Sequence, residues 1–130
     1  MEIKFRAICK KTGKVHNVNR MNFNKPKIML EGSNLTVDKD RFHVVQYTNV
    51  KDVNGEEIYE GDLLMIGNSE KLLKVIFFEG KFGILEDSKN MNYYGDTPVL
   101  HLQYNYLDLY KTKHKTRIRS SYEEVGYENN

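Results

Sequence analysis

The sequence predicts a mainly β protein, and three observations carry that expectation. Nine tyrosines and six phenylalanines, with no tryptophan and many Val and Ile residues, favour strands. Short apolar runs recur at close spacing and are separated by Gly- and Asn-containing turns, as in a small barrel or sandwich. Two prolines and nine glycines are too few for a disordered linker or low-complexity tract, and no internal repeat is visible. A chain of 130 residues supports one domain with a modest core, or two very small β units packed together. We expect that single domain over 1–130, with an N-terminal β region over 1–45 packed on a small barrel over 46–128.

The first strand is expected over residues 2–9. Ile3, Phe5, Ala7 and Cys9 alternate there with Glu2, Lys4 and Arg6. Cys9 falls in the apolar set, which predicts a buried, unreactive thiol. "KKTGK" supplies turn chemistry around Gly13, and "VHNV" reads as the returning strand of a hairpin with His16 exposed. Lys25-Pro26 breaks regular structure before the Ile28-Met29-Leu30 run. "EGSN" makes another turn, followed by Leu35 and Val37. A strand from Phe42 to Tyr47 closes the first half, with a soft boundary between residues 38 and 46.

The second half has a more regular rhythm. Asn54-Gly55 is a strong short-range hairpin signal between two β-leaning runs. Strands are expected at Leu63–Ile66, Leu72–Phe78 and "KFGILE", with turns at "GNSE" and Glu79-Gly80. "DSKNMNYYGDTP" is polar and turn-rich, which predicts a surface loop. "VLHLQYNYLDLY" fits a strand through Leu100, Leu102, Tyr104 and Tyr106, or a helical face through Leu100, Tyr104 and Leu107. The lack of Gly, Pro and β-branched residues after Val99 favours one short helix in its second part.

A formal net charge of +2 does not announce a nucleic-acid or membrane partner. No apolar run approaches the roughly 20 residues that cross a bilayer. The opening "MEIKFRAICK" alternates charge with apolar residues and cannot serve as a signal-peptide core. A lone cysteine excludes an intrachain disulfide framework. Together these predict a cytoplasmic protein with no membrane association.

The stretch "QYTNVKDVNGEEIYEGDLL", residues 46–64, concentrates Asp52, Glu56, Glu57, Glu60 and Asp62. These are hard oxygen ligands, so a divalent-metal hydrolase using Asp52, Glu57 and Asp62 is one reading. A calcium loop starting at Asp52 fails, because its sixth position is Glu57 and its twelfth is Leu63. The mechanical reading explains more. Asn54 and Gly55 tolerate the positive φ angles of a tight turn, Gly61 permits a reversal, and Asp62 can hydrogen-bond its own turn backbone. Small SH3-like barrels often carry such a Gly-Asp step at a strand entrance, so we expect an SH3-like barrel with no metal, cofactor or catalytic residue.

The opening "EIKFRA" and this central stretch resemble the YopX family of bacteriophage and prophage proteins. Gln46, Tyr47, Thr48, Asp52, Asn54, Gly55, Ile58, Tyr59, Glu60, Gly61 and Asp62 stand where the family pattern places them. Asn49 departs from a position where the family commonly has glycine, and the tail "EEVGYENN" lacks the family's Asn-Pro step. The resemblance implies a mainly β fold with an SH3-like small barrel and a tendency to oligomerise. It implies no catalytic residue or cofactor.

A second constellation is "KTKHKTRIR" at residues 111–119. On a strand, Lys111, Lys113, Lys115, Arg117 and Arg119 would share one face. Five aligned cations could follow the phosphates of RNA or DNA, with Tyr104, Tyr106 and Tyr110 upstream as stacking platforms. They could equally guard a sheet edge, or answer the acids of residues 52–62 within the chain or between subunits. His43, His101 and His114 are too scattered for a zinc site. No phosphate loop is present, since "EGKFG" lacks the spacing. The expectation is a non-enzymatic homo-oligomer that binds an unknown phage or host protein in the bacterial cytoplasm, with nucleic acid as the alternative partner.

Overall fold

A computed structural model describes residues 1–22, 24–86, 93–94, 97–98 and 106–123. The protein is mainly β, built on two antiparallel sheets. The strands are β1 (Phe5–Cys9), β2 (Val15–Asn22), β3 (Lys27–Leu30), β4 (Thr36–Asp38), β5 (Phe42–Lys51), β6 (Glu57–Tyr59) and β7 (Asp62–Ile66). They continue with β8 (Leu73–Phe78), β9 (Lys81–Glu86), β10 (Tyr93–Tyr94), β11 (Thr97–Pro98), β12 (Tyr106–Asp108) and β13 (Lys115–Ser120). One sheet runs β4-β3-β2-β1-β5-β6 and the other β12-β9-β8-β7-β13, while β10 and β11 pair only with each other. Single turns of 3₁₀ helix at Lys39–Arg41 and Ser121–Glu123 complete the described elements.

β1 and β2 form the hairpin that Gly13 signals, with Gly13 at φ +73°. The alternation in β1 is less clean than its sequence suggests. Ala7 is buried, but so is Ile8 on the opposite face, and Ile3 is exposed. Ile8 is buried because it packs with Val45, Tyr47 and Tyr59, on the face that the sequence pattern assigns to Lys4 and Arg6. Cys9 sits near the end of that strand and is half-buried rather than buried. Hydrogen bonding from Thr12 holds its thiol below the ordinary range. His16 is half-buried too, edge-on to the Phe42 ring at 6.1 Å.

β5 runs unbroken from Phe42 to Lys51 and pairs with β1 on one side and β6 on the other. Between Tyr47 and Val50 its register slips. Tyr47 faces Tyr59 while Val50 faces Ile58, so Thr48 and Asn49 are extra residues in β5. Adjacent side chains of β6 therefore enter different cores. Ile58 joins Leu64, Val75, Phe82, Ile84 and Leu109, and Tyr59 joins Ile8, Val45 and Tyr47. β6 is the joint between the two sheets.

The loop from β5 to β6 spans residues 52–56 and is longer than a two-residue hairpin turn. Gly55 alone takes a positive φ, +81°; Asn54 does not. Of the run expected to turn helical, Tyr106–Asp108 is a strand instead, paired with Leu85, Ile84 and Gly83 of β9. A vacant sheet edge outweighs weak local helix preference there. Val99–Asn105, with Leu100, His101, Leu102 and Tyr104, lies outside the described residues, as does the tail from residue 124 and most of the expected loop at 87–98.

Candidate functional site

The acid-rich stretch folds into a joint whose carboxylates are bound to backbone. Asp52 Oδ1 accepts from the N–H groups of Asn54 (2.8 Å) and Glu56 (2.9 Å), which closes its own loop. Its Oδ2 accepts from the Arg117 N–H at 2.8 Å, and the Val53 N–H donates to the Lys115 carbonyl at 3.0 Å. One carboxylate thus ties the loop to itself and ties it to the outer edge of β13. Burial pushes the Asp52 carboxyl up, but the three backbone donors outweigh it and leave it below the usual aspartate range.

Asp62 is 1% exposed. Its Oδ2 accepts from the Tyr59 N–H at 2.8 Å and from Arg117 Nε at 2.9 Å, with Arg117 Nη2 3.5 Å from Oδ1. Burial raises the Asp62 carboxyl above the ordinary aspartate value against the pull of Arg117, while the pairing keeps the Arg117 guanidinium protonated. The turn ahead of it needs glycine. Gly61 has φ +84°, and a Cβ there would meet the Tyr122 ring at 2.4 Å. Glu60, half-buried beside Gly61, has its carboxyl raised by burial.

Glu57 faces the other way, into a layer of stacked cations and rings. Lys4 Nζ lies 2.7 Å from Glu57 Oε2, and Arg6 Nη2 lies 3.8 Å from Oε1. The Arg6 guanidinium stands 4.2 Å from the Tyr59 ring centroid, and Lys4 Nζ 5.6 Å from that of Tyr47. Hydrogen bonding from Lys4 holds Glu57 below the usual glutamate range. Burial drives the Tyr59 phenol to about 12. Asp52 and Asp62 therefore both meet Arg117, through its backbone N–H and its guanidinium, while Glu57 serves Lys4 and Arg6. Among the described residues no group of three His, Cys, Asp or Glu is arranged to hold a metal ion.

The basic segment differs from the five-cation face its spacing suggests. The strand starts at Lys115, so Lys111 and Lys113 lie exposed in the turn before it. Lys115 pairs opposite Ile66 and Arg117 opposite Leu64, which puts both on the core-facing side of the sheet. Lys115 is 8% exposed and donates to the carbonyls of Leu109 (3.0 Å) and Thr112 (2.8 Å). Burial lowers its ammonium pKa. A bulge between Arg117 and Arg119 then turns Ile118 outward and sets Arg119 opposite Leu63. Of these cations Arg117 answers an acid of residues 52–62, Asp62, and it also has Glu123 3.8 Å from its Nη2. Tyr106 lies on β12, Tyr104 outside the described residues, and the exposed Tyr110 donates through its hydroxyl to the Thr48 carbonyl at 3.2 Å.

Reading the sequence missed Tyr122, which stacks on His43 at 4.3 Å and fills the space beside Gly61. Nothing local announces it, because its partners are some 60 to 80 residues away in the chain. No helix among the described residues is long and apolar enough to cross a membrane.

The family model described as "YopX protein" matches residues 4–107. No curated protein matches the chain. Among solved structures, the crystal structure of protein EF1440 from Enterococcus faecalis is similar, with a TM-score of 0.61 and 18% identity over 95% of each chain. At that identity the likeness speaks for the fold.

Proposed function

The chain belongs to the YopX family, and from that premise we propose a non-enzymatic phage or prophage accessory protein that binds another protein as a homo-oligomer in the bacterial cytoplasm. The observation that carries this reading is a set of exposed apolar side chains on and around the five-stranded sheet: Val53, Phe77, Leu107, Tyr110 and Ile118. Val53 and Ile118 lie along the same outer edge of β13, where the strand is already blunted by the Asp52 loop. Apolar and aromatic residues at a protected edge suit a packed interface better than added strand pairing. A non-enzymatic reading is supported by Asp52 and Asp62, whose carboxylates are taken up by backbone N–H groups and by Arg117, and by Glu57, which is paired with Lys4.

For residues 46–128 we infer an SH3-like small barrel. β12 and β13 are not paired to each other, yet β5 and its loop reach both ends of the sheet. Tyr110, just after β12, bonds to Thr48, and Asp52 and Val53 bond to β13. That bridging is what a barrel of five short strands needs to close.

Size-exclusion chromatography with light scattering tests the assembly. Wild type is expected at a multiple of 15.3 kDa, and Ile118→Glu at a lower mass with an unchanged circular-dichroism spectrum. A monomer at every concentration defeats the oligomer. Nucleic-acid binding through residues 111–119 is less favoured, because Lys115 and Arg117 are committed inside the protein.

A further inference from the structure

The near-neutral net charge conceals a strong asymmetry. Residues 1–50 carry ten Lys and Arg against four Asp and Glu, whereas residues 51–130 carry ten against fourteen. Among the described residues the acids of the second part do not form a matching face. Asp52, Glu57, Asp62 and Glu123 are engaged internally, and Glu56, Glu70 and Glu79 are spread over three separate turns. The cations of the first part are gathered instead.

Strands β2, β3 and β4 extend beyond β1 as the end of the six-stranded sheet. Their register places Arg20, Met29 and Thr36 in one row across the three strands, and Asn22, Lys27 and Asp38 in the next. Directly paired residues share a face, so these six side chains form one surface. It borders an open cleft of about 460 Å³ whose lining includes Arg20, Asn22, Lys25, Lys27, Met29 and Thr36. A second cleft of about 480 Å³ adjoins it and shares Lys25, with Lys10, Lys39, Asn24 and Phe42 on its walls. Lys27 is paired with Asp38, and Asp40 borders the second cleft. Lys10, Arg20, Lys25 and Lys39 are exposed and make no side-chain ion pair or hydrogen bond among the described residues. The opposite side of the same three strands holds Met21, Ile28 and Val37, with Ile28 fully buried, so the platform is fixed from behind.

We propose that this β2–β4 face binds single-stranded nucleic acid through its phosphates. A charged edge guard would need cations on the outermost strand, but Arg20 lies on β2, two strands in from the edge β4. Two clefts that share Lys25, with cations along the walls, amide and hydroxyl donors from Asn22, Asn24 and Thr36, and Met29 and Phe42 as apolar contacts, are the components of a backbone-tracking groove. Recognition of this kind is sequence-tolerant and salt-dependent. The site is remote in sequence from residues 111–119 and independent of the protein interface proposed above.

Fluorescence anisotropy with a labelled, mixed-sequence single-stranded oligonucleotide tests it on the intact chain. Wild type is expected to bind at low salt. The triple variant Lys10→Glu, Arg20→Glu, Lys25→Glu is expected to bind about tenfold more weakly or less. Each lost phosphate contact removes about 0.7 from the slope of log affinity against log salt, so three contacts lower it by about 2. The pair Lys111→Glu, Lys113→Glu, in the turn before β13, is expected to stay within about twofold of wild type. All substituted residues are exposed, and an unchanged melting temperature confirms folding. No binding by wild type, equal loss in the Lys111/Lys113 pair, or equal displacement by polyglutamate and by oligonucleotide would each overturn the proposal.

Discussion

The five-stranded sheet rests on Ile58, Leu64, Val75, Phe82, Ile84 and Leu109, six apolar side chains of which five have no exposed surface. The smaller cluster of the other sheet, Ile8, Val45, Tyr47 and Tyr59, is half aromatic and is capped by Lys4 and Arg6 lying over its rings. Both are β layers of similar strand length, but only the first is a dry core. In the second, long cationic side chains cover apolar surface with their stems while their charges stay near Glu57 and water.

Cavity formation separates the two regions most. Leu64→Ala is expected to cost about 3–5 kcal/mol, in the upper part of the range for such truncations, because rigid neighbours surround it. Ile8→Ala is expected nearer about 2 kcal/mol, since the Arg6 and Lys4 stems can settle into the space. Urea unfolding of both variants is the measurement. Equal losses would break the distinction between a dry core and a cation-capped one.

Next comes the buried ion pair. Removing Arg117 with alanine strands the Asp62 carboxylate, and such uncompensated charges cost about 3–5 kcal/mol. The double change Asp62→Asn with Arg117→Met is expected to cost less than Arg117→Ala alone. The pH dependence has a definite sign. Asp62 has a raised folded value, so protonation favours the folded state, and the penalty of Arg117→Ala shrinks as pH falls. A penalty that grows on acidification would mean the pair is solvated and the joint is held by something else.

The Asp52 loop should be smaller in effect and opposite in pH sense. Asp52→Ala leaves three N–H groups without their acceptor and is expected to cost about 1–3 kcal/mol. Because the folded carboxyl is held below its ordinary 3.8, its contribution is present above that value and lost as pH falls through the lowered one. Asp52→Asn should therefore flatten the acid limb of a stability–pH curve. Parallel curves for wild type and Asp52→Asn would count against the carboxylate as the tie between loop and β13.

Much of this joint was legible beforehand, and the reasons are local. Gly55, Gly61 and the carboxylates beside them satisfy turn geometry within four residues of themselves, so their roles follow from spacing. The direction of Lys115 and Arg117 was not legible. Strict alternation correctly indicates a strand, but which side faces the core depends on pairing with Leu64 and Ile66, some 50 residues earlier. A one-residue change of register would have reversed it. The cationic β2–β4 face was hidden for a different reason: whole-chain charge averages a basic first part against an acidic second part, in which Asp52 and Asp62 are buried. The strand at Tyr106–Asp108 shows a third limit, since an available sheet edge decided what propensity left open.

The smallest expected effect concerns Asn49, at the register slip of β5. Asn49 has φ +66°, inside the β5 bulge, which explains why glycine suits the position and why asparagine, tolerant of that conformation, can replace it. Its side chain also accepts from the Glu2 N–H at 2.9 Å and donates to the Glu2 carbonyl at 2.8 Å, fastening the chain start to the bulge. Asn49→Gly relieves the backbone and loses both exposed bonds, each worth about 0.5–1.5 kcal/mol at most, so the net change should stay within about 1 kcal/mol. Asn49→Val has no way to adopt the bulge without strain and should cost more, about 1–2 kcal/mol beyond the lost bonds. Thermal melts of the two variants side by side decide it. A valine variant as stable as the glycine one would mean that the bulge is not held at Asn49, and the division of Ile58 and Tyr59 between two cores would need another cause.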